Sequence, residues 1–467
     1  MNEWLLLRRD RAAIAVLLGL LLFGLVGLLD GLAFLWAQCE TTRQAQVLEQ
    51  AQRRQAMEFA RELEATGATV DLVRDSRKAG PVGRFQVFPV AALPSAPLSS
   101  VCAGPSRLRP AYWRVSTDLR QTFAQARDLE SPERLSVGRF DLEFVFVCLL
   151  PLAQIALCYG IIAADRDGDL LRQLLAQPVT ISTLLLRRLA WRAGLPVAIA
   201  LCLLWLAVGA GWWMSPVPGV AGNLAWSTLL LFAYGLFWAS LCAWVTSKSP
   251  SGATAILRLG TAWLVLVVLI PSSVNLAGQA LFPLPSRIEY LDDFRRESRE
   301  LNNERTELLS RFLEDHPELA GPGVDPDEYY RRRLVLDVKL EEALAPLEER
   351  FAAQADRQRA WSNRLAPLSP CALFTSGLQR SCQADGRRFR DFERQATEFH
   401  RSLREFYRPY VFSTEPFRDH DRIPSFTFRE TAEPFDPALA VPLAGLLVWT
   451  AVFAWLTRRA LARPLLV

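Results

Sequence analysis

Residues able to do chemistry are few in this 467-residue chain, and they sit apart. The three histidines, His316, His400 and His420, have no zincin or other metal-ligand spacing. No Gly-x-Ser-x-Gly, no His-Glu-x-x-His and no Gly-x-x-x-x-Gly-Lys-Ser/Thr phosphate loop occurs. Apart from hydroxyl residues and Glu143 at the very start of the second block, the polar residues inside the apolar blocks are Asp30, Gln154, Asn275 and Gln279. They include no pair of acids and no His, which an intramembrane enzyme would need. Asp30 lies near the outer end of its block, where it can reach the headgroups; facing a cavity is the functional alternative. Of the eight cysteines, Cys148, Cys158, Cys202 and Cys242 fall in apolar blocks, and Cys39, Cys102, Cys371 and Cys382 fall in polar stretches. That even count permits disulfides in an oxidising compartment. Cys371 with Cys382 would close a short loop containing Ser376-Gly377. Cys39 with Cys102 is then the second pair, and four free thiols are the alternative.

The richest segment joins two apolar blocks: Asp165-Arg166-Asp167-Gly168-Asp169-Leu170-Leu171-Arg172-Gln173-Leu174-Leu175-Ala176-Gln177-Pro178-Val179-Thr180. Its opening acids suit a helix N-terminus, and Pro178 ends the helix. Leu170, Leu171, Leu174 and Leu175 form one apolar face. Such a helix either lies in the lipid headgroups or docks into a groove on a partner. A second helix begins near Thr180 and runs through Leu184 to Arg188.

Six apolar blocks of about 20 residues must position these groups, each long enough to cross a bilayer. They are Ala12–Ala37, Leu142–Ala164, Gly194–Met214, Leu224–Thr246, Leu259–Leu281 and Ala438–Leu456. The expected fold is a mainly α membrane protein with six transmembrane helices. A soluble globular enzyme is excluded, and the hydrophobic content of 51% excludes disorder. A net charge of +4 gives nucleic-acid binding no support.

Arginine and lysine near the block ends set the orientation. Arg8, Arg9 and Arg11, then Arg166, Arg172, Arg187, Arg188 and Arg192, then Lys248 and Arg258, then Arg458, Arg459 and Arg463 all fall on one side if six blocks span. That side is read as cytoplasmic, with both termini inside. The turn Ser215-Pro216-Val217-Pro218-Gly219 on the other side carries no basic residue. The chain then divides into the first span (1–37), a first outer insertion (38–141), the second span (142–164), a cytoplasmic loop (165–193), three spans (194–281), a second outer insertion (282–437) and the last span (438–467).

The first insertion opens with a helical run, Thr41 to Thr66, which can extend the first span outward. Pro-rich loops and short strands follow it. The second insertion reads as mostly helix: Arg287 to Glu314, Pro326 to Leu365 and Asp385 to Tyr407. Phe389, Phe392, Phe399, Leu403 and Phe406 recur there at helical spacing, as in a core stripe.

The cytoplasmic loop resembles the coupling-helix region of ABC-2 type transporter permeases. The match lies in Asp165, Asp167, Arg172-Gln173-Leu174-Leu175, Pro178-Val179-Thr180 and Leu184 to Arg188. Gly168 sits one residue early, and no Thr follows it. The layout is similar to a branch of that family with large insertions after the first and before the last helix. The resemblance implies a half-transporter in a bacterial inner membrane, its large domain periplasmic. It would pair with an identical or sister permease, and with a dimer of cytoplasmic ATPase subunits docked on Asp165 to Thr180. Leu174 and Leu175 would be apolar anchors, and Arg166 and Arg172 would supply charge contacts. ATP and Mg would sit on the ATPase, with no cofactor or metal on this chain. The outer insertions are large enough to meet a periplasmic partner protein, lipoprotein, peptide or glycan, and the sequence does not choose among them. The alternative is a membrane-anchored extracytoplasmic binding or signalling protein without a motor.

Overall fold

The computed structural model describes residues 8–119, 140–161, 181–217, 219–283, 287–303, 305–315, 329–430 and 436–462. Helices dominate, with one small antiparallel pair, β1 (Val90–Ala92) and β2 (Tyr112–Arg114), registered Ala91 against Trp113.

The first span does not stop at the polar boundary. Helix α1 runs unbroken over Arg11–Thr66, about 84 Å of helix. Asp10 caps its N-terminus by accepting from the amides of Ala12 and Ala13, and Gly67 ends it in the left-handed conformation (φ 65°). No proline interrupts it, and Arg43–Glu40 and Arg53–Glu49 pairs support its outer half.

Among the described residues five helices are long and apolar enough to cross a membrane. They are α1, the stretch Ser182–Met214 (α3, Ile181–Arg192, then α4, Gly194–Met214), α5 (Val220–Lys248), α6 (Gly252–Leu281) and the stretch Pro437–Leu461, which contains α12 (Ala440–Leu461). Helix α2 (Leu142–Cys158) is apolar but shorter. Its chain turns through Ile161, and 162–164 of the expected block lie outside the described residues.

Helix α5 is the hub, buried over most of its length and packed on α2, α4, α6 and α12. Buried Gln154 of α2 donates from Nε2 to the carbonyls of Ala193 (3.2 Å) and Gly235 (3.1 Å), linking three helices with one amide. Two apolar helices carry a π-turn just before a proline: Val145–Leu149 ahead of Pro151, and Leu264–Leu269 ahead of Pro271. Proline has no N–H to bond the carbonyl one turn back, so that carbonyl needs another donor. Tyr234 Oη donates to Val147 O (2.9 Å) and Trp263 Nε1 to Cys148 O (3.2 Å). Near the second proline, Ser369 Oγ donates to Leu266 O (2.7 Å).

The two insertions fold into one domain. The helices of the second are α7 (Arg287–Asn303), α8 (Arg305–Asp315), α9 (Tyr329–Leu365), α10 (Pro370–Ser381) and α11 (Arg387–Phe412); α12 (Ala440–Leu461) follows. The domain core joins Val82, Val87, Trp113 and Val115 to Tyr330, Phe392, Leu403 and Tyr407, so residues of both insertions share it. Trp113 packs on Phe392 with ring centroids 5.1 Å apart. The aromatic stripe of α11 is therefore core, with Phe392 and Leu403 fully buried. The outer half of α1 is clamped to the domain. Arg53 donates to the carbonyls of Ile423 (2.6 Å) and Pro424 (2.8 Å), and Glu49 accepts from the amide of Val90 (2.8 Å).

The second insertion packs against the bundle in one place. The end of α9 runs down α6, with Trp361 on Gly278 and Phe282. A 3-10 turn, Ala366–Leu368, follows, and Trp449 of α12 donates to Pro367 O (3.1 Å). Helix α10 then climbs back between α5, α6 and α12. Phe374 stacks on Tyr234 (4.3 Å), and Ser381 Oγ bonds Ser227 Oγ (2.8 Å). Leu266, which Ser369 holds, lies about 22 Å along the axis from the Leu281 end of α6. The end of α9 and α10 form a hairpin packed against the bundle. At 12 residues, α10 is too short to register as a span.

The first insertion also tucks inward. The 3-10 turn Pro97–Ser100 packs between α1 and α4, where Ser100 Oγ donates to Ala207 O (3.0 Å). Gly24, Gly27 and Gly31 of α1 make room on one face. A Cβ at Gly31 would overlap the Ser100 carbonyl.

Candidate functional site

A cleft lined by polar side chains lies where the hairpin meets the domain. Its cavity is about 590 Å³, within the range of small-molecule sites. One wall is the end of α9, with Gln358, Arg359, Ser362 and Asn363. A second is α10 and the start of α11, with Ser376, Gln379, Arg380, Asp385, Arg387 and Arg390. Asn275 of α6 closes one end. Val441 and Pro442 of α12 form an apolar side with Leu373.

A carboxylate network shapes the charge. Asp436 accepts from Arg380 at 2.6 and 3.0 Å, and from Arg387 at 3.3 Å. Arg380 is the main reason that the Asp436 carboxyl lies below its ordinary range. Asp436 also caps the turn Pro437–Leu439 that enters α12, accepting from the Ala438 amide (3.0 Å). Arg387 bonds Asp385 as well. Arg359 has only the exposed partner Asp356 (2.7 Å). Arg390 has no acidic or hydrogen-bonding side-chain partner among the described residues, and the same holds for Asn275, Gln358, Ser362 and Asn363.

The cysteine pairings expected from the sequence are corrected here. All eight cysteines are free thiols. Cys371 starts α10 and Cys382 caps its end, so the helix holds them about 16 Å apart along its axis, far beyond a disulfide's Cα reach of 4.4–6.8 Å. Cys371 faces Tyr234 and Cys148, and Cys382 faces Cys102. Cys39 does not meet Cys102 either; it lines a separate cleft with Ser215 and Phe426. Cys102 Sγ donates to Glu143 Oε2 (2.9 Å), whose other oxygen accepts from Gln379 (2.7 Å). Burial pushes the Cys102 thiol well up, reinforced by Cys382 and Glu143.

Asp30 has a partner that the sequence did not suggest: Arg107 reaches from the first insertion to pair with it, and stacks over Phe34 (4.9 Å). Asn275 is the one polar residue noted inside the apolar blocks that lines the cleft. His400 and His420 bond backbone carbonyls at Asp118 (2.8 Å) and Ser76 (3.1 Å), and His316 lies outside the described residues. Among the described residues no group of His, Cys, Asp and Glu could hold a metal.

The loop residues Asp165, Arg166, Asp167, Gly168, Leu170, Leu171, Arg172, Leu174, Leu175, Pro178, Val179 and Thr180 lie outside the described residues. The helix after them, α3, is described. Its Arg188 and Arg192 donate to Ile161 O (2.6 Å) and Leu157 O (3.2 Å), the open carbonyls at the end of α2.

A family model described as a domain of unknown function (DUF3526) matches residues 287–429. That region contains α7 through α11, and so both the domain's second half and the hairpin of α9 and α10. No curated protein and no solved structure matches the chain.

Proposed function

We propose that this chain is the membrane subunit of an ABC-2 type ABC transporter. In this reading six helices span a bacterial inner membrane, both termini are cytoplasmic, and the domain is periplasmic. Hydrolysis occurs on a separate ATPase dimer carrying ATP and Mg. A second permease, identical or sister, completes the assembly. The observation that carries the reading is the Asp165–Thr180 segment, whose acids, Leu pairs and Pro178-Val179-Thr180 resemble a coupling helix.

The fold supports a route for force. Helix α1 is one rigid rod from the basic N-terminal end into the domain, where Arg53 fixes it to the 423–424 backbone. Tilting its inner end on ATPase closure would swing the domain. The Ser369–Leu266 bond ties the hairpin to α6, so motion of α6 reaches the cleft.

The test is purification from the native host in mild detergent, with mass spectrometry of the co-purifying proteins. A stoichiometric phosphate-loop ATPase is expected. Leu174→Glu places a charge on the docking face and should abolish ATPase capture while leaving membrane insertion intact. An ATPase that co-purifies fully with this variant would overturn the loop as the docking element, and no ATPase with the wild type across several detergents would leave the anchored binding-protein reading in its place.

A further inference from the structure

The cleft between α9, α10 and α12 is built like a site for a molecule with two unlike ends. We propose that it binds an anionic amphiphile, with the headgroup at Arg390 and an acyl chain along α12. The inference requires the membrane placement of the hairpin and is independent of any ATPase.

Three observations carry it. The first is unspent polarity. Gln358, Ser362, Asn363 and Asn275 line the cavity with no side-chain hydrogen bond to the described protein, and Asn275 and Asn363 are exposed, so their polar ends are open to a ligand. The second is charge. The aspartates at the cleft are already shared by Arg380 and Arg387, which leaves Arg390 without an acidic partner among the described residues. A guanidinium with open donors, beside a row of amides and a hydroxyl, matches a phosphate or carboxylate headgroup.

The third is depth. Asn275 lies about 9 Å along α6 from its Leu281 end, so the cavity reaches below the level where the apolar helix ends. On that same side Val441, in the first turn of α12, is 67% exposed and faces outward from the bundle. A soluble anion has no use for that wall, and a neutral lipid has none for Arg390. A phospholipid with net negative charge, or a fatty-acylated anion, uses both.

The experiment uses the full chain in a neutral detergent, titrated by native mass spectrometry. The probes are phosphatidylglycerol, phosphatidylcholine with the same acyl chains, and glycerol phosphate. Phosphatidylglycerol should bind at least tenfold more tightly than either of the others. Arg390→Glu should weaken phosphatidylglycerol tenfold or more, the loss expected when a charge-assisted hydrogen bond becomes a repulsion. Arg394→Gln, an exposed control paired with Asp391, should leave it within twofold. Val441→Asp should weaken phosphatidylglycerol and leave glycerol phosphate unchanged. A photoreactive phosphatidylglycerol should label peptides from 355–365 or 438–445, and less so in Arg390→Glu.

Equal binding of phosphatidylcholine would overturn the charge assignment. Equal binding of glycerol phosphate would overturn the amphiphile. Unchanged affinity in Arg390→Glu, or labelling elsewhere, would overturn the site. Melting curves of each variant separate lost binding from lost fold. A null result here would leave the ATPase co-purification test untouched.

Discussion

Replacing Ser369 by Ala probes the contact that holds the hairpin inside the bundle. Ser369 is fully buried and does two jobs: its Oγ donates to Leu266 O (2.7 Å) and accepts from the Ala372 amide (3.2 Å), capping α10. Loss of a serine cap costs about 1 kcal/mol. Loss of an interhelical hydrogen bond in a membrane costs about 0.6–1.7 kcal/mol. The sum, about 1.6–2.7 kcal/mol, corresponds to roughly a fifteen- to ninety-fold rise in local opening, at about 1.4 kcal/mol per decade. Hydrogen–deuterium exchange of peptides covering 370–382, in nanodiscs, reads that opening directly. The matched control is Ser376→Ala, whose Oγ bonds only its own helix at Leu373 O (3.0 Å) and whose loss should stay within about 0.5 kcal/mol. If the two variants exchange within about threefold of one another, α10 is held by packing alone and the tie between hairpin and α6 is wrong.

Gly31→Ala should lower the melting temperature in detergent markedly, because the new Cβ overlaps the Ser100 carbonyl. Gly19→Ala, with nothing near its Cβ, should be neutral or stabilising, and equal effects would refute the tight α1 contact. In the domain, burial pushes Asp337 from 3.8 up to about 6 despite the Arg84 and Arg333 guanidiniums at 3.1 and 3.0 Å. A raised folded value means stability that is present below about pH 4 and is lost as pH rises through about 6, roughly 3 kcal/mol at most. Asp337→Asn should flatten the stability profile over that window, and an unchanged slope would show that the group does not titrate there. Mild copper–phenanthroline oxidation should join Cys102 to Cys382 and leave Cys371 unlinked to Cys382. Peptide mapping that returns a 371–382 link would contradict the helical span between them.

The sequence alone determined the broad architecture. Runs of about 20 uncharged residues can satisfy their backbone in lipid only as helices, and those runs are local and readable. It also determined that the aromatics of α11 form a core stripe, because a 3.6-residue period is a property of one segment. The extension of α1 into the domain was readable as well, since no Pro or Gly interrupts residues 32–66.

Only the tertiary structure decided what lies beside what. The segment Pro370–Ser381 has no hydropathy signal that separates it from a surface helix; packing on Tyr234 and Leu266 places it in the bundle. Cys371 and Cys382 look adjacent in the chain, yet helix geometry separates them and brings Cys102 instead. Asp30 looked like a residue near a helix end until Arg107, 77 positions away, met it. The cleft around Arg390 draws on five helices, from Asn275 of α6 to Pro442 of α12, a span that exceeds any local pattern. Such contacts are decided by the folding of the whole chain, because burial and charge pairing act through space and leave no period in the sequence.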